Sequence, residues 1–419
     1  MYKNLSGVGL RSESELLLCI ARTHINPQTA SRIRALVGQG PDWHYLISTA
    51  NSHGVLPLLY RSLARICPES VPAARFEFLR QYYELNKRRS FLLTCELLRC
   101  IKAFEQGGVH AVSFKGPILA ASIYGNLALR QFNDLDIVVR KRDISKAKDI
   151  LISRGYSHLG SRTAPNQGTQ HLRTDLEPDQ LAPLRPNFYI FVRHGVKIRV
   201  DLQWRVTDRL FSFSIDSESF WNNLDSFILG RTTLLTFPPE ILLLILCAHG
   251  CKHSWQQLKW VCDVAQLIEV LQSKGQLTRV KQALLNGNRR MVCLGLLLAH
   301  DLLGATLPDE VIKEIRLDSV ATSVATQIRQ RLFAETDEAV GEAGKFIFYL
   351  KMRASWAERL KYCSEYLAQY SDSVFSPSPI ERDILPLPKS LAFLHYGFRP
   401  LRLAAKYGLA PFKRSHGRS

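Results

Sequence analysis

Apolar residues in the first hundred positions recur every three or four residues, which is the spacing of one face of an α-helix. The pattern runs through three segments, residues 14–22, 43–66 and 76–104. The pair Gly107 and Gly108 closes it. We therefore predict a helical cap region over residues 1–105. His53, a lone histidine near a helix end, is predicted to cap or pack rather than to bind a ligand.

After Gly108 the apolar spacing changes to the two-residue alternation of β-strands, so residues 106–235 are predicted as a strand-rich module. Its first elements are a strand over 112–114, a turn at Lys115 and Gly116, a helix opened by Pro117 and a strand that begins at Asp134. An amphipathic helix follows, with Asp143 as its predicted N-cap and Gly155 as its end.

The same alternation decides where the acidic residues of this module point. Residues two apart in a strand share a face, so Asp134 and Asp136 face one way together. A hairpin predicted around His194 and Gly195 carries Asp201 on the polar face of its second strand. Two carboxylates on one strand and a third on a neighbouring strand suit a phosphoryl-transfer site with two divalent cations.

From position 236 the pattern returns to helical spacing, and residues 236–375 are predicted as a helical domain that contributes to the cleft. If its second helical stretch is continuous, five residues form one stripe: His249, His253, Gln256, Trp260 and Asp263. The buried side of that helix is then formed by Leu258, Val261, Cys262, Ala265 and Ile268. His249 and His253 are open to three interpretations: side chains that face a cleft, zinc ligands, or hydrogen-bonded histidines that fix helix packing.

Composition narrows the class of protein. A chain of 419 residues with 46% hydrophobic and 22% charged residues predicts two or three globular domains. Nine scattered cysteines, an odd number that lies mostly in apolar stretches, indicate reduced core thiols and a cytoplasmic protein. The longest apolar run, 241–248, is too short to span a bilayer, and the N-terminal sequence lacks the features of a secretion signal.

The net charge of +18 indicates a polyanionic partner, such as a nucleoside triphosphate, nucleic acid or an anionic membrane surface. A generally solubilising surface explains the charge equally well. The segment 376–419 mixes basic and aromatic residues as an amphipathic tail. It is predicted to pack back onto the body or to make peripheral contact with a membrane.

The ordered set of motifs resembles a known family. It consists of Lys115-Gly116, a helix that ends in Tyr124-Gly125, then Arg130, Asp134 and Asp136. In this order the residues resemble the uncharacterised bacterial nucleotidyltransferase family, a branch of the DNA polymerase β-like nucleotidyltransferase superfamily. The resemblance continues through residues 201–204 and 248–268. The superfamily's Gly-Ser pair is replaced here by Lys115-Gly116, the form of this branch, and Gln203 stands where the family commonly has histidine.

The resemblance implies an α+β fold, with a polymerase β-like mixed sheet and helices flanked by N- and C-terminal helical regions. It also implies transfer of an NMP group from an NTP to an acceptor hydroxyl or phosphate, with release of pyrophosphate. Asp134, Asp136 and Asp201 then hold two Mg²⁺ ions, or Mn²⁺ in their place, and Asp201 assists deprotonation of the acceptor. The implied nucleotide-binding residues are Lys115, Gly116 and Arg130, for which surface charge is the alternative. The residues implied to face the cleft from the helical domain are His249, His253 and Asp263.

Two other functions compete with NMP transfer. The missing Gly-Ser pair favours a nucleotide- or anion-binding module that kept the fold and lost turnover. The positive charge favours an RNA-end nucleotidyltransferase, although no RNA-binding motif accompanies it. The sequence leaves the acceptor open among small molecules, peptides and proteins, with nucleic acid less favoured.

Overall fold

A computed structural model of the chain describes residues 11–158, 188–193, 198–206, 218–285, 289–334 and 341–375. The chain divides into two compact units, Met1–Ala354 and Ser355–Ser419. The second unit contributes one described helix, Trp356–Phe375 (α16). The predicted amphipathic tail lies outside the described residues. In the described part of the chain, no helix is both long enough and apolar enough to cross a bilayer.

The N-terminal segment is helical, as predicted. Its helices are α1 (Ser12–Ile20), α2 (Pro27–Gly38), α3 (Trp43–Ser52), α4 (Leu56–Ile66) and α5 (Ala73–Gln106), with a 3₁₀ turn at Pro68–Ser70 between the last two. Side-chain caps start two of them. Asn26 accepts a hydrogen bond from the backbone N–H of Thr29, and Asp42 accepts from those of His44 and Tyr45.

Seven strands form one mixed sheet. They are β1 (Ala111–Ser113), β2 (Asp134–Val139), β3 (Ser157–His158), β4 (Phe188–Arg193), β5 (Ile198–Gln203), β6 (Asp225–Leu229) and β7 (Thr232–Thr236). Their order is β3-β4-β5-β2-β1-β7-β6. The pairs β2–β5 and β1–β7 are parallel, and the other four pairs are antiparallel. The sheet and its flanking helices confirm the α+β class, and the antiparallel pairing of β4 and β5 confirms the predicted hairpin.

Three helices accompany the sheet: α6 (Pro117–Ser122), α7 (Ile144–Ser153) and α8 (Glu218–Asn222). The predicted end of α7 is confirmed, since Gly155 has a φ of +82°. Asp143 occupies the N-cap position of α7, as predicted, but its side chain does not cap the helix. Asp143 closes a 3₁₀ turn, Lys141–Asp143, and its own backbone is already helical. Its carboxylate therefore makes no capping hydrogen bond, because a capping side chain needs an extended backbone at that position.

The C-terminal part of the first unit is helical, as predicted. Its helices are α9 (Pro239–Lys252), α10 (Leu258–Ser273), α11 (Thr278–Leu285), α12 (Arg289–Leu303), α13 (Asp309–Arg316), α14 (Ser319–Leu332) and α15 (Glu342–Lys351). The prediction that one continuous helix carries the polar stripe is wrong. α9 ends at Lys252, and a separate helix, α10, begins at Leu258. Between them Ser254 and Trp255 have φ of 50° and 53°.

The cause of this break is the burial of one large side chain. Trp255 is fully buried, and its ring packs so closely on α9 that a Cβ added to Gly250 would lie 2.5 Å from the ring. The chain turns through left-handed backbone conformations to place that ring in the core. The apolar side predicted for α10 is nonetheless confirmed, since all five of its predicted residues are buried.

Two apolar clusters hold the fold together on opposite faces of the sheet. The larger joins helices near both ends of the first unit, for example through Leu17 and Leu294, to sheet residues that include Val138. The smaller packs α5 and α7 on the other face and includes Leu97 and Ile137. In β2 the even positions share the face of Val138. Asp134 and Asp136 therefore lie on the face that carries the larger helical layer.

Seven of the nine cysteines are buried, which agrees with the predicted core thiols. Burial raises the pKa of the Cys251 thiol to about 12, so this thiol stays protonated and unreactive at neutral pH.

Candidate active site

Strand register brings the three predicted acids to one place. β2 and β5 run parallel, with Asp136 opposite Asp201 and Asp134 opposite Arg199. Because side chains alternate along a strand, these four residues project from the same face of two neighbouring strands. The sheet therefore supplies the two-strand arrangement that the sequence predicted.

The predicted Lys115-Gly116 turn lies beside these acids. Gly116 has a φ of +52°, a conformation that L side chains rarely adopt. A Cβ on it would lie 3.5 Å from the carbonyl oxygen of Asp134 and 3.6 Å from the ring of Phe132. The Lys115 ammonium is 3.9 Å from Asp136 Oδ2. The turn thus places a cation and a glycine backbone next to the first strand of acids.

The carboxylate of Asp201 is held by the arginine two residues before it. Arg199 donates from Nε and Nη2 to the two oxygens of Asp201, at 2.6 and 2.7 Å. Gln203, on the same face of β5, donates from Nε2 to Asp136 Oδ1 at 2.5 Å. The residue that replaces the family's histidine therefore orients an acid of the neighbouring strand.

These contacts change what the three acids can do together. Among the described residues, no three His, Cys, Asp or Glu side chains are placed to hold a metal ion. Asp134, Asp136 and Asp201 are thus neighbours in the backbone register, but their side chains do not converge on one point. The predicted convergence is incomplete because Arg199 already neutralises Asp201, and Lys115 approaches Asp136.

Electrostatics sets the acids apart from surface carboxylates. Burial, and then the charges of Asp136 and Asp201, raise the pKa of Asp134. Burial also raises the pKa of Asp201, although the hydrogen bond from Arg199 opposes that shift. In turn the bond to Asp201 raises the pKa of Arg199. The site carries negative charge that its neighbours only partly neutralise.

Arg130 and Asp263 lie elsewhere than the sequence suggested. Arg130 donates from Nε and Nη2 to the two oxygens of Asp263, both at 2.8 Å, and Tyr124 donates to the same carboxylate at 2.7 Å. Asp263 is 1% exposed and does not line the cavity, so its predicted position facing the cleft is wrong. It is buried because Arg130 compensates its charge there. Arg130 reaches the cavity wall, but the two nitrogens that form this fork face the aspartate.

Three of the predicted stripe residues do meet although their helix is broken. The rings of His249 and His253 are 4.8 Å apart, and Trp260 of α10 stacks on His253 at 4.7 Å with an interplanar angle of 15°. Burial, and then the nearby Lys115, lower the pKa of His249, so its ring is neutral. Both histidines line the cavity. His53 accepts a hydrogen bond at Nδ1 from the Leu258 backbone N–H, which confirms its predicted capping role.

The acids open into one large cavity of about 1380 Å³. Its walls come from the Lys115-Gly116 turn, the strands β2 and β5, and the helices α3, α5, α9, α10 and α14. Among the described residues, three carboxylates line it, those of Asp134, Asp136 and Asp201. Eight cationic side chains of the same described part also line it: Arg89, Lys115, Arg130, Arg199, Arg205, Lys252, Lys259 and Arg331. The cavity is therefore strongly electropositive around a small acidic centre.

Sequence reasoning missed several of these lining residues. Arg199 had a usable signal, because it precedes Asp201 by two positions in a predicted strand and must share its face. Lys259 and Arg331 had none, since only the packing of α10 and α14 brings them to the cavity. His171 and Arg173, which lie in the polar segment after α7, are outside the described residues.

Comparison with known proteins agrees with the geometry. Neither a curated protein nor a solved structure matches the chain. A model of the family described as uncharacterised nucleotidyltransferase matches residues 39–304. That span contains the acidic strands, the Lys115-Gly116 turn and helices α9 to α12. The chain belongs to this nucleotidyltransferase family.

Proposed function

We propose that the protein is a metal-dependent nucleotidyltransferase that moves an NMP group from an NTP to an acceptor and releases pyrophosphate. One observation carries this proposal. Asp134 and Asp136 share a face of β2, and Asp201 lies opposite Asp136 on the parallel strand β5, beside the Lys115-Gly116 turn. Family membership supports the reaction class, and the size and positive charge of the cavity suit a triphosphate.

The donor set fits Mg²⁺ or Mn²⁺. Carboxylate oxygens are preferred ligands of both ions. Burial, and then the charges of Asp136 and Asp201, raise the pKa of Asp134, and a divalent ion would relieve the repulsion among these charges. Asp134, Asp136 and Asp201 would hold two ions. When bound, such ions neutralise charge on a triphosphate and make an acceptor hydroxyl more acidic.

For all three acids to act, Arg199 must leave Asp201. Its side chain is 44% exposed and lines the cavity, so it has room to turn. A triphosphate offers oxygens that accept the same two-nitrogen fork as a carboxylate does. We therefore assign Arg199 to the phosphates in the loaded site. This exchange frees the oxygens of Asp201 at the moment the nucleotide arrives.

The remaining residues take roles that match their positions. Lys115 supplies a cation, and the Gly116 backbone allows close approach to the phosphates. The acceptor oxygen forms a bond to the α-phosphorus, the bond from that phosphorus to the bridging oxygen breaks, and pyrophosphate leaves. Asp201 takes the proton of the acceptor hydroxyl, a role that its raised pKa suits. His249 and His253 face the cavity and are assigned to contact nucleotide or acceptor.

The test is pyrophosphate release by variants of the acids, measured with a cell lysate present as the source of acceptor. Asp134→Ala and Asp201→Ala are each expected to lower turnover about a thousandfold or more, because each carboxylate contributes several kcal/mol of transition-state stabilisation. Asp149→Ala, at an exposed carboxylate of α7, is the matched control and should leave turnover unchanged. Full turnover in either site variant, with the fold intact by circular dichroism, would refute the assignment.

A binding module without turnover is the second candidate. The pairing of Asp201 with Arg199 favours it, because this pair alone makes the site inert until the arginine moves. Isothermal titration with NTP and Mg²⁺, followed by the pyrophosphate assay, separates the two functions. Binding without release would identify the module, and binding with release identifies the enzyme.

A further inference from the structure

The cations of the cavity fall into two kinds. Arg130 and Arg199 face aspartates, and those aspartates raise the pKa of each guanidinium. Among the described residues neither Lys259 nor Arg331 forms a salt bridge, although the charges of Asp263 and Asp134 act on Lys259 from a greater distance. Burial lowers the pKa of both. A partly buried cation without a direct ion pair is costly to keep, so these two side chains need another explanation.

Arg331 lies in the last turn of α14 and donates one hydrogen bond, from Nη2 to the backbone oxygen of Ser254 at 2.6 Å. Ser254 is part of the left-handed turn between α9 and α10. This bond positions the guanidinium but leaves most of its five N–H donors unused in the described structure. The unused donors belong to a side chain that lines the cavity.

Lys259 lies in the first turn of α10, and its ammonium is 5.6 Å from the centroid of the Trp260 ring. Its stem occupies the space left by a missing side chain. A Cβ on Gly54 would lie 2.7 Å from Lys259 Cδ. The Lys259 backbone N–H also bonds to the His53 carbonyl oxygen at 3.1 Å. The lysine is therefore held in place at the cavity wall.

Aromatic rings connect the positions of these two cations. Trp260, beneath the Lys259 ammonium, stacks on His253, which directly precedes the Ser254 carbonyl that Arg331 holds. At the end of α14, the ring of Phe333 lies 5.2 Å from that of His53. The two cations thus border a ring-lined part of the cavity wall, which we name the aromatic subsite: Lys259, Arg331, His253, Trp260, His53 and Phe333.

The cavity is large enough to hold a second molecule beside a nucleotide. Its volume of about 1380 Å³ exceeds the roughly 300–1,000 Å³ of ordinary small-molecule pockets. The acidic centre with Lys115 and Arg199 accounts for one substrate. The aromatic subsite, which contains no carboxylate, accounts for the remaining space and for two further cations, Lys259 and Arg331.

We infer that the aromatic subsite binds the acceptor, and that the acceptor is a small molecule bearing a phosphate group. Lys259 and Arg331 hold its phosphate through charge-assisted hydrogen bonds. The rings of Trp260, His253 and Phe333 contact the body of the molecule. This inference rests on the proposed function and deepens it by naming the chemical class of the acceptor.

The test is isothermal titration of the full chain with ribose 5-phosphate as the probe. It is performed alone and after saturation with Mg²⁺ and an equimolar mixture of the four α,β-methylene nucleoside triphosphates. Lys259→Met and Arg331→Gln are each expected to weaken probe binding about tenfold or more, the loss expected for one charge-assisted contact. Neither change should weaken binding of the triphosphate analogues by a similar factor.

A matched double variant controls for charge. Lys281→Met with Arg329→Gln removes the same two charges from side chains that lie outside the cavity, and it should leave probe affinity unchanged. Arg331→Lys keeps the charge and should retain most of the affinity. The melting temperature of Lys259→Met should not fall, because Lys259 forms no salt bridge in the described structure and its burial already disfavours its charge. These outcomes separate a binding role from a structural one.

Three results would overturn the inference. Probe affinity could be the same in the Lys259 and Arg331 double variant as in the parent, or the double variant could lose the triphosphate analogues instead of the probe. A five-nucleotide RNA could bind through these residues when ribose 5-phosphate does not, which would exclude a small acceptor. Failure of the proposed function is distinguishable, since the probe would then still bind through Lys259 and Arg331 while pyrophosphate release was absent.

Discussion

Two arginine–aspartate pairs, each with its arginine at the cavity wall, share one geometry. Arg130 and Asp263 are joined by two hydrogen bonds of 2.8 Å, and Arg199 and Asp201 by bonds of 2.6 and 2.7 Å. Their surroundings differ. The side chains of the first pair are 8% and 2% exposed, whereas those of the second are 44% and 10% exposed. The same contact therefore has two consequences.

The pair of Arg130 and Asp263 has a structural role. Asp263 accepts a third hydrogen bond from Tyr124, so these bonds link the segment that follows α6 to α10, which lies far away in the sequence. Among the described residues, both hydrogen bonds of the Arg130 fork go to Asp263. Water is excluded, so neither partner can leave without a large loss of free energy.

The second pair is exchangeable. Arg199 lies opposite Asp134 and acts electrostatically on both Asp134 and Asp136, so its guanidinium is attracted by three acids rather than one. Its partial exposure means that solvent screens the bond, and a triphosphate can replace the carboxylate. The comparison teaches that the number of hydrogen bonds does not reveal the role of an ion pair, whereas its burial and the charges around it do.

The largest effect is expected from breaking the buried pair. Asp263→Asn leaves the Arg130 charge buried without compensation and should lower the free energy of unfolding by about 3–5 kcal/mol. Urea denaturation measures this. Replacing both partners, Arg130→Met with Asp263→Leu, should cost less than Asp263→Asn alone. Equal stability of parent and Asp263→Asn would contradict the structural role.

The packing of the Trp255 ring against Gly250 also stabilises the turn between α9 and α10 at the cavity. Gly250→Ala places a Cβ 2.5 Å from the Trp255 ring and should destabilise the fold by about 1–3 kcal/mol. Gly38→Ala is the control, since a Cβ there meets nothing within 4 Å at the end of α2. Thermal melting followed by circular dichroism distinguishes them. A melting temperature unchanged by Gly250→Ala would show that the turn between α9 and α10 tolerates the shift.

Removing Arg199 should change the stability of the fold only slightly, and it should change the affinities for Mn²⁺ and for NTP in opposite directions. Arg199→Met should change the free energy of unfolding by less than about 1 kcal/mol. Without nucleotide, Mn²⁺ affinity measured by electron paramagnetic resonance should rise roughly tenfold, because the competing cation is gone. NTP affinity should fall. Arg80→Met, in an exposed pair of α5, is the control, and a fall in Mn²⁺ affinity in Arg199→Met would contradict the exchange.

The smallest expected effect is a gain in stability at the acidic centre. The pKa of Asp134 is raised in the folded state, so its ionisation costs stability as pH rises above the ordinary value of 3.8 and through the raised value. Asp134→Asn should therefore raise the melting temperature at neutral pH while it abolishes turnover. Below the ordinary pKa both states are protonated, and the gain should vanish. A lower melting temperature at pH 7 would contradict this account of the site.

Local pattern was enough to predict the acids and most elements, because alternation and turn residues are local properties. The strand that starts at Asp134, the hairpin that carries Asp201 and the Gly116 turn follow from such signals. The break before α10 does not, since it depends on where the Trp255 ring finds space in the core. The bond that Arg130 makes with Asp263 is likewise set by tertiary packing across a distance in sequence that periodicity cannot reach.

The central claim is that this site transfers the α-phosphoryl group with its nucleoside. Its most direct test is incubation of the protein and Mg²⁺ with NTPs labelled at either the α- or the γ-phosphate, in the presence of a cell lysate as the source of acceptor. The account predicts that label from the α-position enters a product, that label from the γ-position leaves as pyrophosphate, and that Asp134→Ala produces neither. Transfer of the γ-label to a product, or no transfer by a protein that binds NTP, would contradict it.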